Sequence, residues 1–365
     1  MAELGDVALG GALVAASLAP AVLAAPIVGV ALDRSKHPRR IVALSAAVTM
    51  LGFAAVALLG ILPVPVIIVL VVAAGCVAPV YYGGLSSFVT DTIPNERRAY
   101  ALDALSYNIS SVAGPALVAL AGLSGDARLG VWLMAGAAAV GAVATTALHV
   151  NPRTFVPESV LATILAGLRH LVGHRPLGLV IVAGGVSQFA SGALPIVAVA
   201  LSIERAGTPD DAALIVTAFA IGGLVGALIF ALRPSERLTP QLVMGAGFAL
   251  TGIFTLVAVP DLGLIWVVLA VGVSGLFTAP SGAAMLLLRK QQSPPAVRSQ
   301  VFTIGSGLRA TTGALGAGVA GALAGLDAGV LIAGVGVIWI ASALMMLAYP
   351  NGLAPLDEPE VLSRG

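Results

Sequence analysis

GVALDRSKHPRR, Gly29 to Arg40, separates two long apolar runs. An uncharged stretch reaches it from the amino-terminal side, and a second apolar stretch starts at Ile41. Between them one short turn delivers Asp33, Arg34, Lys36, Arg39 and Arg40. A cationic hairpin this tight between two membrane-length segments fixes which face of a bilayer it occupies, because Lys and Arg are retained on the cytoplasmic side.

Composition supports a membrane reading. Hydrophobic residues make up 59% of the 365-residue chain and charged residues 10%, with a mean hydropathy of +1.04. Soluble domains carry about a quarter charged residues, so this chain lacks the charged surface that a soluble fold of its length would need. The single Cys76 can form no intrachain disulfide. The first apolar run ends near Leu23-Ala24-Ala25, but its head carries Glu3 and Asp6 where a secretory signal would carry Lys or Arg.

Runs long enough to span a bilayer, about 20 apolar residues each, fall near 8–32, 41–62, 66–90, 98–123, 128–149, 177–203, 211–232, 239–259, 262–288, 299–324 and 327–349. The intervening charges sort by side. Fifteen of the 18 Lys and Arg residues lie on the Arg34–Arg40 side. Only Arg128 and Arg205 lie opposite, and Arg309 lies inside a run. The expectation is a multi-pass protein of the cytoplasmic membrane with its amino terminus outside and its carboxyl terminus in the cytoplasm.

A second organising feature is an internal repeat. Adding 200 to the first five runs lands on runs seven to eleven, with Arg98 in register with Arg298 and Ser106 with Ser306. Two copies related by an even number of spans run parallel through the bilayer, as in transporters built from two pseudo-symmetric bundles. The expected domains are an N-terminal bundle at 1–149, a linker at 150–176, a C-terminal bundle at 177–349 and a tail at 350–365. Within the linker, Leu161, Ile164, Leu165, Leu168, Leu171 and Val172 recur at helical spacing opposite Arg169, His170, His174 and Arg175. That pattern predicts an interfacial helix, with a disordered linker as the plain alternative.

Gly29-x-x-x-Asp33-Arg34 followed by Arg39 and Arg40 resembles the loop motif of the major facilitator superfamily of secondary transporters. The family continues D-R-x-G-R-R, whereas here Ser35 to Pro38 intervene without a glycine. The resemblance implies an all-helical fold of two bundles, here eleven spans arranged five plus six. It also implies a first helix lying ahead of Met1, since span six has no counterpart 200 residues earlier. Asp33 is expected to meet the amino end of the penultimate helix, which begins near Ser299, and Asp91 to complete the charge cluster. A merely solvated basic loop is the alternative. Gly114-Pro115 resembles the family's G-P element, and Phe88 to Asn108 is similar to its efflux branch. Gly226, with Gly222, and the Gly321/Gly325 pair read as helix-packing devices.

Polar side chains inside apolar runs cost several kcal/mol unless paired or hydrated, so they mark candidate pathways. Arg309, Asp103, Tyr107, Asn108, Gln188 and Tyr81 are the candidates, with Arg309 expected to face a cavity and Asp103 the deepest carboxylate. No H-E-x-x-H, G-x-S-x-G or Walker lysine is present, so neither a cofactor, a metal nor ATP hydrolysis is expected. The resulting expectation is proton-coupled efflux of a small molecule by alternating access. Partners are a small-molecule substrate, protons and the lipid bilayer, without nucleic acid, and the chain is taken as a monomer. The rival is a non-transporting membrane protein, either a sensor or assembly factor on the same scaffold or an inactive truncated transporter.

Overall fold

The computed structural model describes residues 7–122, 127–147, 160–209, 211–233, 237–350, 352–353 and 356. Glu3, Asp6, Arg153 and the tail beyond residue 356 lie outside the described residues. The described chain is helical, in the order α1 Val7–Arg34, α2 Pro38–Ala57, α3 Val64–Val77, α4 Val89–Thr92, α5 Glu96–Gly122, α6 Ala127–Ala144 and α7 Val160–Gly173. There follow α8 Arg175–Ala206, α9 Ala212–Leu232, α10 Pro240–Val257, α11 Leu264–Gly275, α12 Thr278–Gln291, α13 Arg298–Ala322 and α14 Ala328–Met346. Helix occupies most of the described part of each predicted apolar run. Seven described segments are long and apolar enough to cross a membrane.

Local chemistry sets the ends. Proline occupies the first turn of α2, α3, α8 and α10, where its missing N–H costs nothing and its fixed φ favours the helix. Gly207, at φ 77°, ends α8 in the left-handed conformation that only glycine adopts freely. Asp327 caps α14 by accepting from the Val330 N–H at 3.0 Å.

Two predicted runs are broken helices. The third passes from α3 through a π turn at Val80–Gly84 and a 3-10 turn at Leu85–Phe88 into α4. The ninth breaks between α11 and α12 around Leu276 and Phe277. Pro79 and Pro280 lie beside these breaks, at nearly equivalent positions of the 200-residue repeat. A proline removes a donor and its ring displaces the carbonyl four residues back, and a π turn absorbs the displaced register.

By contacts the chain divides into two compact units: 1–92, 113–170 and 295–307, and 93–112, 171–294 and 308–365. In the first, Leu32, Val42, Val80 and Phe88 form one apolar cluster and Ala55, Leu59, Ile67 and Val71 another. In the second, Leu194, Val197 and Leu201 of α8 pack with Met244 and Phe248 of α10 and Ile332, Val335 and Trp339 of α14. The Phe248 and Trp339 rings lie 5.4 Å apart. Leu44, Val69, Val140, Ile229 and Leu269 are exposed on helix surfaces, as a protein solvated by lipid permits.

The two basic residues that break the charge sorting are both committed to carbonyls. Arg205 donates to Ala258 at 2.9 Å, Val259 at 2.7 Å and Pro260 at 3.2 Å. Arg128 donates to the Leu59 carbonyl at 3.2 Å. Each staples a turn, which explains a cation on that side without recourse to topology.

Small residues let backbones touch at some glycines and not at others. A Cβ at Gly226 would collide with the Leu276 carbonyl, and one at Gly222 with Gly272. Gly316 sits equally tightly on Phe189. Gly114, Gly321 and Gly325 meet no described atom within 4 Å, so the packing role read from their spacing does not extend to them. Gly226→Ala should therefore lower the thermal midpoint in detergent, by overpacking worth ~1–3 kcal/mol. Gly114→Ala should leave it unchanged or raise it, through a helix-propensity gain of ~1 kcal/mol. Equal effects of the two substitutions would contradict this account.

Candidate functional site

The GVALDR motif places its carboxylate where a helix begins. Asp33, near the carboxyl end of α1 and only 3% exposed, accepts the Ser299 N–H on Oδ1 at 2.9 Å and the Gln300 N–H on Oδ2 at 3.0 Å. The first turn of α13 has N–H groups without intrahelical partners and the positive end of the helix dipole. A buried carboxylate there gains two charge-assisted hydrogen bonds. At the end of its own helix the same carboxylate would face negative partial charge, so the α13 contact also relieves α1.

Close backbone approach makes this geometry possible. A Cβ at Gly29 would strike the Gln300 Cα and lie 2.6 Å from Thr303 Oγ1. Gly83, beside the break after α3, lies against the Phe302 carbonyl and Ser306 Oγ. Hydroxyls then tie the crossing: Ser87 Oγ to Ser299 Oγ at 2.8 Å, Thr303 Oγ1 to the Ala25 carbonyl at 2.8 Å and Ser306 Oγ to the Tyr82 carbonyl at 2.6 Å. The first ten residues of α13 thus belong to the first unit, and the rest of the helix to the second. Arg34 and Asp91 are half-buried, whereas Arg39 and Arg40 are exposed at the start of α2.

The repeat partner, α5, is held in the converse way. Its residues up to Val112 lie in the second unit. There Glu96 pairs with Lys290 of α12, and Arg97 donates to the Leu238 carbonyl at 2.6 Å. Neither anchor was visible from spacing, because both pairs join residues more than 140 positions apart.

The polar candidates divide between the units. Arg309 of α13 donates to Gln188 Oε1 of α8 at 2.7 Å. Asn108 of α5 donates to the Ala104 carbonyl at 2.8 Å, and its Oδ1 lies against Gly223 of α9. Tyr107 and the half-buried Asp103 also lie on α5 in the second unit. Tyr81 belongs to the first unit, where its hydroxyl faces the Val42 carbonyl at 3.4 Å. Within the second unit Arg309, Gln188 and Tyr107 come together. Pro115 lies within α5.

The ninth apolar run, read as ending at 288, leaves Arg289 just outside it as a flanking basic charge. Arg289 lies instead within α12, fully buried. A cation at the end of an apolar run reads as a flanking charge, and nothing in the run Leu286-Leu287-Leu288-Arg289-Lys290 marks the helix as continuing through it. Arg289 Nη2 lies against Gly184 of α8, one turn from Gln188.

Residues 1–203 match the family model for the Major Facilitator Superfamily. The chain belongs to that superfamily. It is 25% identical, over 98% of its length and 90% of the relative's, to an uncharacterised MFS-type transporter, y4rN, of Sinorhizobium fredii. Solved structures share the fold. The human organic anion transporter MFSD10 superposes with a TM-score of 0.74 at 14% identity, over 94% of this chain and 88% of that one. The fucose:proton symporter FucP of E. coli (N162A) gives 0.69 at 14% identity, over 94% and 92%. This superfamily member is accordingly an all-helical, multi-pass membrane transporter.

Asp33→Ala strips both acceptors from buried N–H groups. It should lower the thermal midpoint by the equivalent of ~1–3 kcal/mol, and Asp33→Glu should not restore it, since Gly29 leaves no room for a longer arm. An unchanged midpoint in Asp33→Ala would show that the contact adds nothing to stability.

Proposed function

We propose that this protein exports a small molecule from the cytoplasm in exchange for protons, by alternating access between its two pseudo-symmetric halves. The observation that carries the reading is the Asp33 cap on α13, which ties a segment from the second half of the sequence into the first unit. A helix held at one end by one unit and elsewhere by the other is an element whose position can report and set a two-state equilibrium. In this reading Gly29, Asp33, Arg34, Arg39, Arg40 and Asp91 form the cytoplasmic gate. The basic loops face the cytoplasm, placing the amino terminus outside and the carboxyl terminus inside. The eleven-span arrangement, the domain boundaries at 149, 176 and 349, and α7 as an interfacial helix belong to the same proposal.

Proton coupling rests on Asp103, the carboxylate deepest in α5, and efflux on the resemblance of Phe88 to Asn108 to that branch. Fold neighbours include two proteins named as proton symporters, so the architecture accommodates coupling to protons in at least one direction. Arg309, Asp103, Tyr107, Asn108 and Gln188 are the proposed pathway residues.

Reconstituted protein should acidify or alkalinise liposomes containing a pH-sensitive dye when its cargo is supplied. Asp33→Asn should insert normally but turn over on the order of tenfold more slowly, since losing one charge-assisted bond worth ~1.4 kcal/mol shifts the equilibrium by that factor. KM should change little. Wild-type turnover in Asp33→Asn would refute the gate, and Asp103→Asn with intact proton movement would refute the coupling assignment.

A further inference from the structure

The Arg289 side chain is the largest fully buried one in the described structure. Each guanidinium offers five N–H donors and cannot be neutralised in practice. Arg289 Nη2 reaches only a thioether, Met285 Sδ at 3.5 Å, and its Nε and Nη1 have no hydrogen-bond partner. Arg309 Nη2 is satisfied by the neutral Gln188 amide, while its Nε is buried without a partner. The two arginines lie within electrostatic reach of each other and of Tyr107. Asp103 lies one turn before Tyr107 on α5, half-buried.

These groups share a level. Gly184, Tyr107 and Arg309 lie 9 to 11 residues beyond the starts of α8, α5 and α13, about 14–17 Å at helical rise. All three starts lie on the basic side of the chain. Like-charged guanidiniums that repel one another and are left short of acceptors in a protein interior are costly. The Glu96–Lys290 pair next door shows the usual remedy, a carboxylate supplied by a facing helix. For Arg289 and Arg309 the described residues supply none. An anionic group bridging them would satisfy the free donors, with planar fork geometry suited to carboxylate or phosphate.

We propose that Arg289 and Arg309, with Tyr107 and Gln188, form the binding site for the anionic group of the cargo, so that the protein carries an organic carboxylate or phosphate ester. Arg289 and Arg309 grip the anion, Gln188 fixes the Arg309 fork, and Gly184 leaves space for the Arg289 fork against α8. The identification of the anion as cargo rests on the transporter reading, whereas the site itself does not. A resident inorganic anion is the competing occupant, and transport separates the two.

The binding arm uses purified full-length protein in detergent at constant ionic strength, with thermal midpoints followed against succinate, benzoate and inorganic phosphate. Glucose and tetraethylammonium serve as neutral and cationic probes. Wild type should show a saturable rise with at least one anion and none with the other two probes. Arg289→Met should raise the midpoint without probe, by removing an unpaired buried charge, and weaken the anion response at least tenfold. Arg289→Lys should retain part of it, and a substitution of the exposed Arg237, Arg237→Gln, should behave as wild type. The proposal is overturned if no anion gives a saturable shift, if glucose or tetraethylammonium shifts the midpoint equally, or if the anion response survives both Arg289→Met and Arg309→Met. In liposomes, flux of the responding anion that Arg289→Met abolishes supports cargo, and binding without flux of that anion overturns cargo in favour of a resident ion. Proton-coupled flux of a neutral or cationic compound with no anion response sinks the anion site and leaves the transporter reading standing.

Discussion

The carboxylate of Asp33 on the exposed amides of Ser299 and Gln300 is the constraint around which the basic end of this protein is arranged. Burying a carboxylate is unfavourable unless donors replace its water, and the first turn of α13 supplies two. The contact needs α1 and α13 nearly in backbone contact, which is why Gly29 precedes Asp33 by one turn. It also needs the segment after α3 to leave room, which the break at Pro79 and the adjacent Gly83 provide. Ser87, Thr303 and Ser306 then add hydroxyl hydrogen bonds along the same crossing. A one-carbon change at Gly29 or the loss of the Asp33 charge acts on the whole set.

Helix α5 answers this arrangement with different chemistry. Where α13 is held by a capping carboxylate, α5 is held by an ion pair from Glu96 to Lys290 and by Arg97 on a loop carbonyl. The repeat therefore conserves the use of a helix start as a fastening point while changing the groups that fasten it. Such asymmetry gives the two ends different strengths and different salt dependence, since a cap buried at 3% exposure is screened less than a partly open ion pair.

Much of this was legible in the sequence because the governing signals are local. GVALDRSKHPRR carries a turn, a charge and a glycine within twelve residues, and the length of the apolar runs fixes helices without reference to partners. The position of Asp33 near Ser299 came from resemblance, and the capping geometry gives it a physical reason. Arg289 was not legible, because a cation following Leu288 looks like a flanking charge and only the packing of α12 on α8 shows it buried. The breaks after α3 and α11 were hidden for a related reason: hydropathy counts side chains, and a π turn is a backbone event. Glycine spacing was an incomplete guide, since Gly222 and Gly226 touch a neighbouring backbone whereas Gly321 and Gly325, at the same spacing, touch nothing described.

If the Asp33 cap sets the position of α13, the amides it holds must be protected only while it is intact. Hydrogen–deuterium exchange over residues 298–303, compared between wild type and Asp33→Asn in the same detergent, tests this directly. The account predicts slow exchange of this segment in wild type and exchange at least about tenfold faster in the variant, with α14 unchanged. Equal protection of residues 298–303 in the two proteins would contradict it.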